Sequence, residues 1–159
     1  MTETLRPPDL GAERSAMKKL EFLAGKWSGE ARAVRGSGET VEWLQTEEAE
    51  YKLDGLVLLI EGVGRKSDGQ TLLQALAMIS YDDASCTYRL RAFNDGRFLE
   101  TEVKLLEDGQ GMTWCFALGE VETRSVLRIN EKGEWTERHE IALGGRPSKP
   151  LMDLTVRRC

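Results

Sequence analysis

Residues 121–143 read VETRSVLRINEKGEWTERHEIAL, and two rows of alternation meet there at a turn. In the first row Val121, Thr123, Ser125, Leu127 and Ile129 share one parity, and Glu122, Arg124, Arg128 and Asn130 share the other. Successive side chains of an extended strand point to opposite faces, so this is a strand with one dry face and one wet face. The second row repeats the pattern. Trp135, Ile141 and Leu143 share a face with Glu137 and His139, opposite Glu134, Thr136, Arg138 and Glu140. Between the rows, Glu131-Lys132-Gly133 supplies a reversal, and the pair reads as an antiparallel hairpin.

Working outward, the same grammar covers most of the chain. Runs such as Lys26–Arg35, Thr40–Leu53, Leu56–Arg65, Leu72–Tyr81, Cys86–Phe93, Arg97–Leu106 and Met112–Leu118 are separated by Gly, Asp-Gly or Asn-Asp-Gly turns. A last run, Leu151–Arg158, follows Gly144-Gly145. About ten strands in a meander would leave two bare edges if they formed one flat sheet, and closing the sheet removes both. The expected fold is therefore all-β, an antiparallel up-and-down barrel of about ten strands. A sandwich would need a long crossover, and the short loops disfavour one.

Ahead of the strands, Ala16, Met17, Leu20 and Leu23 fall at helical spacing, which predicts one short N-terminal helix between about residues 12 and 24. Residues 1–11, with Pro7, Pro8 and Gly11, read as a flexible arm, leaving 12–159 as a single barrel domain. A net charge of −5 and a pI near 5.1 argue against nucleic acid as a partner, which normally demands a basic stripe. No apolar run of membrane-spanning length and no signal-like stretch occurs, so the expectation is a cytoplasmic protein without a membrane partner. Cys86, Cys115 and Cys159 are odd in number and widely spaced, which fits free thiols in a reducing compartment.

The alternation also sorts the barrel's inside from its outside. Leu99, Thr101, Val103 and Leu105 form one inner row, Met112, Trp114, Phe116 and Leu118 another, and Met152, Leu154 and Val156 a third. With the 121–143 hairpin, the inside becomes apolar with a thin scatter of polar groups: Thr101, Thr123, Ser125, Glu137 and His139. That is the composition of a ligand cavity. Trp43, Trp114 and Trp135 lie on strands from which they either fill the core or stack on a ligand. His139, the only histidine, shares its face with Glu137, and that pair is the candidate polarising group. The alternative is a histidine hydrogen-bonded to a neighbouring strand. Arg89 and Arg91 read as an outer charged face, and Glu47, Glu48 and Glu50 as a solvated acidic run. Leu56–Ile60 and Leu72–Ile79 are apolar on both faces, which suits either cover by the helix or a homodimer interface.

The segment LEFLAGKWSGEARA, residues 20–33, resembles the opening of lipocalin-like, or calycin, barrels. It is similar to nitrobindin-type domains and, more closely, to an uncharacterised bacterial family of ten-stranded fatty-acid-binding-like barrels. GEWTERHEIALGGRPSKPLMDLTVRR, residues 133–158, resembles the closing hairpin of that second family. The resemblance implies a barrel with an internal cavity. Nitrobindin-like proteins hold haem through a histidine on the last strand, but here that strand reads LMDLTVRR, without one. No haem, and no other cofactor, is expected.

Three functions fit these readings. The first is binding of a small apolar or amphipathic molecule inside the barrel, by Trp43, Thr101, Trp114, Thr123, Ser125, Trp135, Glu137 and His139. The second is a small cofactor-free enzyme of isomerase, cyclase or hydrolase type working through Glu137 and His139. The third is an interaction module with a filled barrel. One histidine makes a poor case for a metal, and Ser125 lies mid-strand without the sharp turn that presents a nucleophilic serine.

Overall fold

A computed structural model describes residues 6–159. Among them are one α-helix, α1 (Leu10–Lys18), a 3-10 turn (Glu21–Leu23) and ten strands. The strands are β1 (Gly25–Val34), β2 (Thr40–Lys52), β3 (Val57–Arg65), β4 (Thr71–Asp82) and β5 (Thr87–Asn94). There follow β6 (Arg97–Leu105), β7 (Gly111–Leu118), β8 (Val121–Ile129), β9 (Trp135–Leu143) and β10 (Lys149–Arg158). Each strand pairs antiparallel with its sequence neighbours, and β1 pairs with β10 to close the barrel. The hairpin of the opening quotation is β8–β9, in register from Val121↔Leu143 to Ile129↔Trp135. One of the two-residue reversals is Asn94–Arg97, where Asp95 and Gly96 both take positive φ, 47° and 90°, as a type I′ hairpin turn requires.

The helix starts and stops earlier than its apolar spacing predicts. Asp9 is the cap, its carboxylate accepting from the Ala12 amide at 3.0 Å, so Leu10 and Gly11 belong to the helix and not to an arm. The first five residues of the expected arm lie outside those described.

The helix closes one end of the barrel. Met17, Leu20 and Leu23 are fully buried in one cluster with the inward-facing Trp27, Leu58, Ile79 and Tyr88. Each such aliphatic contributes roughly 1.5–3 kcal/mol. Two phenols from the barrel rim pin the helix backbone, Tyr51 Oη donating to Met17 O at 2.6 Å and Tyr88 Oη to Ala16 O at 2.7 Å. Trp27 donates to Leu23 O and packs edge-on to Trp135 at 5.5 Å, while the Arg158 guanidinium lies 4.2 Å over the Trp27 ring. The helix thus serves as a plug.

One junction in the wall is thin. β6 and β7 share only two register pairs, Lys104↔Thr113 and Leu105↔Met112, beside the turn. Beyond them the strands part, and the Thr101 hydroxyl reaches across to Cys115 O at 2.8 Å, where a backbone amide would otherwise sit.

Candidate functional site

Buried side chains gather at the plugged end and continue along β1 and β2 to Ala31 and Trp43, whereas inward-facing positions nearer the other end on β4, β5, β7 and β9 are only half-buried. Ala75, Ala77, Ala92, Trp114, Phe116 and Ile141 are of this kind. They share parity with the buried Ile79, Leu90, Met112 and Trp135 of their strands, so they face the interior and solvent reaches them there. Side-chain size explains the space. On one wall Gly62, Ala75 and Asn94 stand in register across β3, β4 and β5, and Ala77 pairs with Ala92 beside them. The facing wall carries Trp114, Phe116, Thr123, His139 and Ile141 on β7 to β9. Barrels of more than about eight strands enclose more volume than their side chains fill.

The expected polar residues do converge. Ser125 and His139 are cross-strand partners, and Ser125 Oγ lies 2.6 Å from His139 Nδ1. His139 Nε2 lies 2.8 Å from Glu137 Oε2, although strand geometry alone separates such i, i+2 residues by about 6–7 Å. The side chains lean along the strand to meet. Trp135 Nε1 donates to the other oxygen, Glu137 Oε1, at 2.9 Å. With Glu137 ionised, Nε2 is the protonated nitrogen, and Nδ1 is left to accept the Ser125 hydroxyl. Trp114 packs edge-on to the imidazole at 5.9 Å. The His139 and Glu137 side chains keep 16% and 12% exposure, so the pair borders the open space. Thr123 faces inward from β8, half-buried beside Ile141 and Phe116. Thr101 spends its hydroxyl on the β6–β7 junction.

The acidic run on β2 requires a correction. Glu48 and Glu50 are exposed, but Glu47 is buried at 7% exposure, together with Gln45 at 2%. Trp43, Gln45, Glu47 and Ala49 share the inward parity of β2, and burial of Trp43 and Ala49 carries the two polar residues inside with them. They form an ordered chain. Trp43 Nε1 donates to Gln45 Oε1 at 2.7 Å, and Gln45 Nε2 donates to Glu47 Oε1 at 2.8 Å. Trp43 thus serves to orient Gln45, at 8% exposure, and not to pave an open wall. Glycine makes the room. A Cβ at Gly64 would lie 2.6 Å from the Trp43 indole, and one at Gly62 would lie 2.8 Å from Glu47 Oε1. Burial, and then the charge of Glu137, push the Glu47 carboxyl well above its ordinary value.

A second concavity, of about 870 Å³, lies on the outer face of β1, β2 and β10. Part of its charged lining is already paired, Arg157 bonding both Glu30 and Glu134. Among the described residues no three His, Cys, Asp or Glu side chains group as a metal site would need, and no helix is long and apolar enough to cross a membrane.

No protein-family model and no curated protein matches the sequence. Among solved structures, the crystal structure of Rv2717c from M. tuberculosis is similar, with a TM-score of 0.67 and 16% sequence identity. The match covers 91% of this chain and 97% of that one. At that identity the likeness is one of fold.

Proposed function

We propose that the barrel belongs to the calycin type and binds a small, partly apolar molecule in the half of its interior left open by the helix. The observation that supports this is the row of half-buried small residues, Ala75, Ala77 and Ala92, facing Trp114, Phe116 and His139 across the interior. An apolar wall with one convergent polar group is the usual make-up of a small-molecule site. The test has two arms. Native mass spectrometry of freshly purified protein should detect a bound small molecule, and the neutral dye Nile red should bind saturably with a blue-shifted emission. Ala92→Phe, which fills the space, should weaken dye binding by about tenfold or more, as expected when side-chain volume is added where a ligand packs. Absence of both a co-purified mass and saturable dye binding would sink the proposal.

A second reading, acid–base catalysis, rests on the Ser125–His139–Glu137 relay. In it His139 is the general base, Glu137 orients it, and the Ser125 hydroxyl is the group it deprotonates. A fluorophosphonate probe should then label Ser125 in the wild type and not in His139→Ala. An unlabelled wild type rejects this reading and leaves the first untouched.

A further inference from the structure

The hydrogen bonds of the interior all run one way. Trp43 donates to Gln45 and Gln45 to Glu47, while Trp135 and His139 donate to Glu137 and Ser125 lies against His139. The donors of both chains are spent on two carboxyl groups. Both oxygens of Glu137 are occupied, but Glu47 takes its single bond on Oε1, and Oε2 has no partner among the described residues. Among the described residues no fully buried side-chain polar atom lacks a partner, so Oε2 keeps some contact with solvent, on a residue otherwise more than nine-tenths buried. The strand register shows what lies beside it. Glu47 pairs with Gly62, Gly62 with Ala75 and Ala75 with Asn94, so no bulky side chain covers that flank.

The charge inventory points the same way. Glu47, Glu137 and His139 are the titratable side chains of the polar chains, and two arginines share the inward parity: Arg97, exposed at the open end of β6 beside Asn94, and Arg158 on β10, over Trp27 and donating to the Ala24 and Phe22 carbonyls. Facing Glu47 from β1 is Trp27 and from β3 is Gly62, both uncharged, and the charge opposing it from β9 is Glu137. At the depth of Glu47 an anionic ligand such as a fatty-acid carboxylate would find the nearest inward arginine, Arg158, already bonded to two backbone carbonyls, and the charge of Glu137 would repel it. A donor-rich cation would find an acceptor already aimed, together with the aromatic faces of Trp114 and Phe116.

Resting on the binding reading above, we infer that the interior recognises a cationic amine with an apolar body, and that Glu47 Oε2 is the atom that takes the ammonium group. Without such a ligand, burial and the charge of Glu137 favour the protonated form of Glu47. An ammonium group favours the carboxylate instead, so binding of the protonated amine should release protons from Glu47 to the buffer.

One skeleton in three charge states tests this: tryptamine, 3-ethylindole and indole-3-propionate, titrated calorimetrically into the full chain at neutral pH. Tryptamine should bind about tenfold or more tightly than 3-ethylindole, as a charge-assisted hydrogen bond in a dry site gives, and the propionate should bind weakest. Glu47→Gln should erase the preference for the amine, and the exposed Glu48→Gln should retain it. Repeating the wild-type titration in buffers of different ionisation enthalpy should reveal proton release with tryptamine and none with 3-ethylindole. Equal affinity for amine and neutral compound, a preference for the anion, or a preference that survives Glu47→Gln overturns the inference while leaving the binding reading in place. If none of the three binds although Nile red does, the cation reading alone falls. If Nile red fails as well, both fall.

Discussion

Glu47 carries a stability cost that depends on pH. Below its ordinary value of 4.5 the carboxyl is protonated in both folded and unfolded chains and contributes nothing. Above it the unfolded chain gives up the proton while the buried group keeps it, so stability falls as pH rises until the native carboxyl also ionises. Each unit by which the native value is raised is worth about 1.4 kcal/mol. Glu47→Gln should therefore match the wild type near pH 4 and exceed it increasingly as the pH rises above 4.5 in urea denaturation. An advantage that is the same at every pH would show the group to be solvated. Two glycines set a companion comparison. A methyl at Gly64 meets the rigid Trp43 indole, whereas one at Gly62 meets the mobile end of Glu47. Gly64→Ala should cost the larger amount, about 1–3 kcal/mol, as overpacking does. Sequence alternation had placed Ser125, Glu137 and His139 on one face, and there the structure puts them. It went astray at Glu47 because three glutamates in four residues look solvated, although the alternation of Trp43, Gln45, Glu47 and Ala49 carried the opposite message.

Among the elements, hairpins were the most legible, since Asp-Gly and Gly-Gly turns and period-two rows mark them locally. The helix was harder to bound. Its cap, Asp9, stands just after Pro7-Pro8 and reads as part of a loose arm, and the tertiary contacts that fix its C-terminal end are absent from local sequence. Those contacts are testable. Burial pushes the Tyr51 phenol up to about 12, so it remains a donor to Met17 O across the accessible pH range. Tyr51→Phe should leave that carbonyl short of a partner and destabilise the protein by about 1–3 kcal/mol, seen first as faster amide exchange in α1. The β6–β7 junction was not legible at all, because both strands have ordinary alternation and the parting arises from how they meet. Its backbone groups beyond Lys104 and Thr113 lack ladder partners. Amides of 97–103 and 114–118 directed at the junction should exchange faster than any amide shared by β8 and β9. Equal protection on both would refute the reading of this junction as thin.

At the scale of the whole molecule, closure depends on β1 meeting β10, two strands far apart in sequence. Gly29 is a point of close approach. It pairs with Val156, and a Cβ there would collide with the Thr155 carbonyl oxygen and stand 2.8 Å from Val156 Cα. Backbone cannot yield as a side-chain tip does, so Gly29→Ala should destabilise by about 3 kcal/mol or more, and chiefly by slowing folding if ring closure is late. Folding kinetics of this variant against Gly62→Ala would separate the two effects. A barrel stitched evenly all round has a fixed girth, like a welded hoop. This one has nine firm joints and a clasp at β6–β7. Its circumference can lengthen at that one place while every other strand pair keeps its register. Under the proposed binding function, the give of this clasp would set the breadth of molecules admitted as much as the side chains lining the wall do.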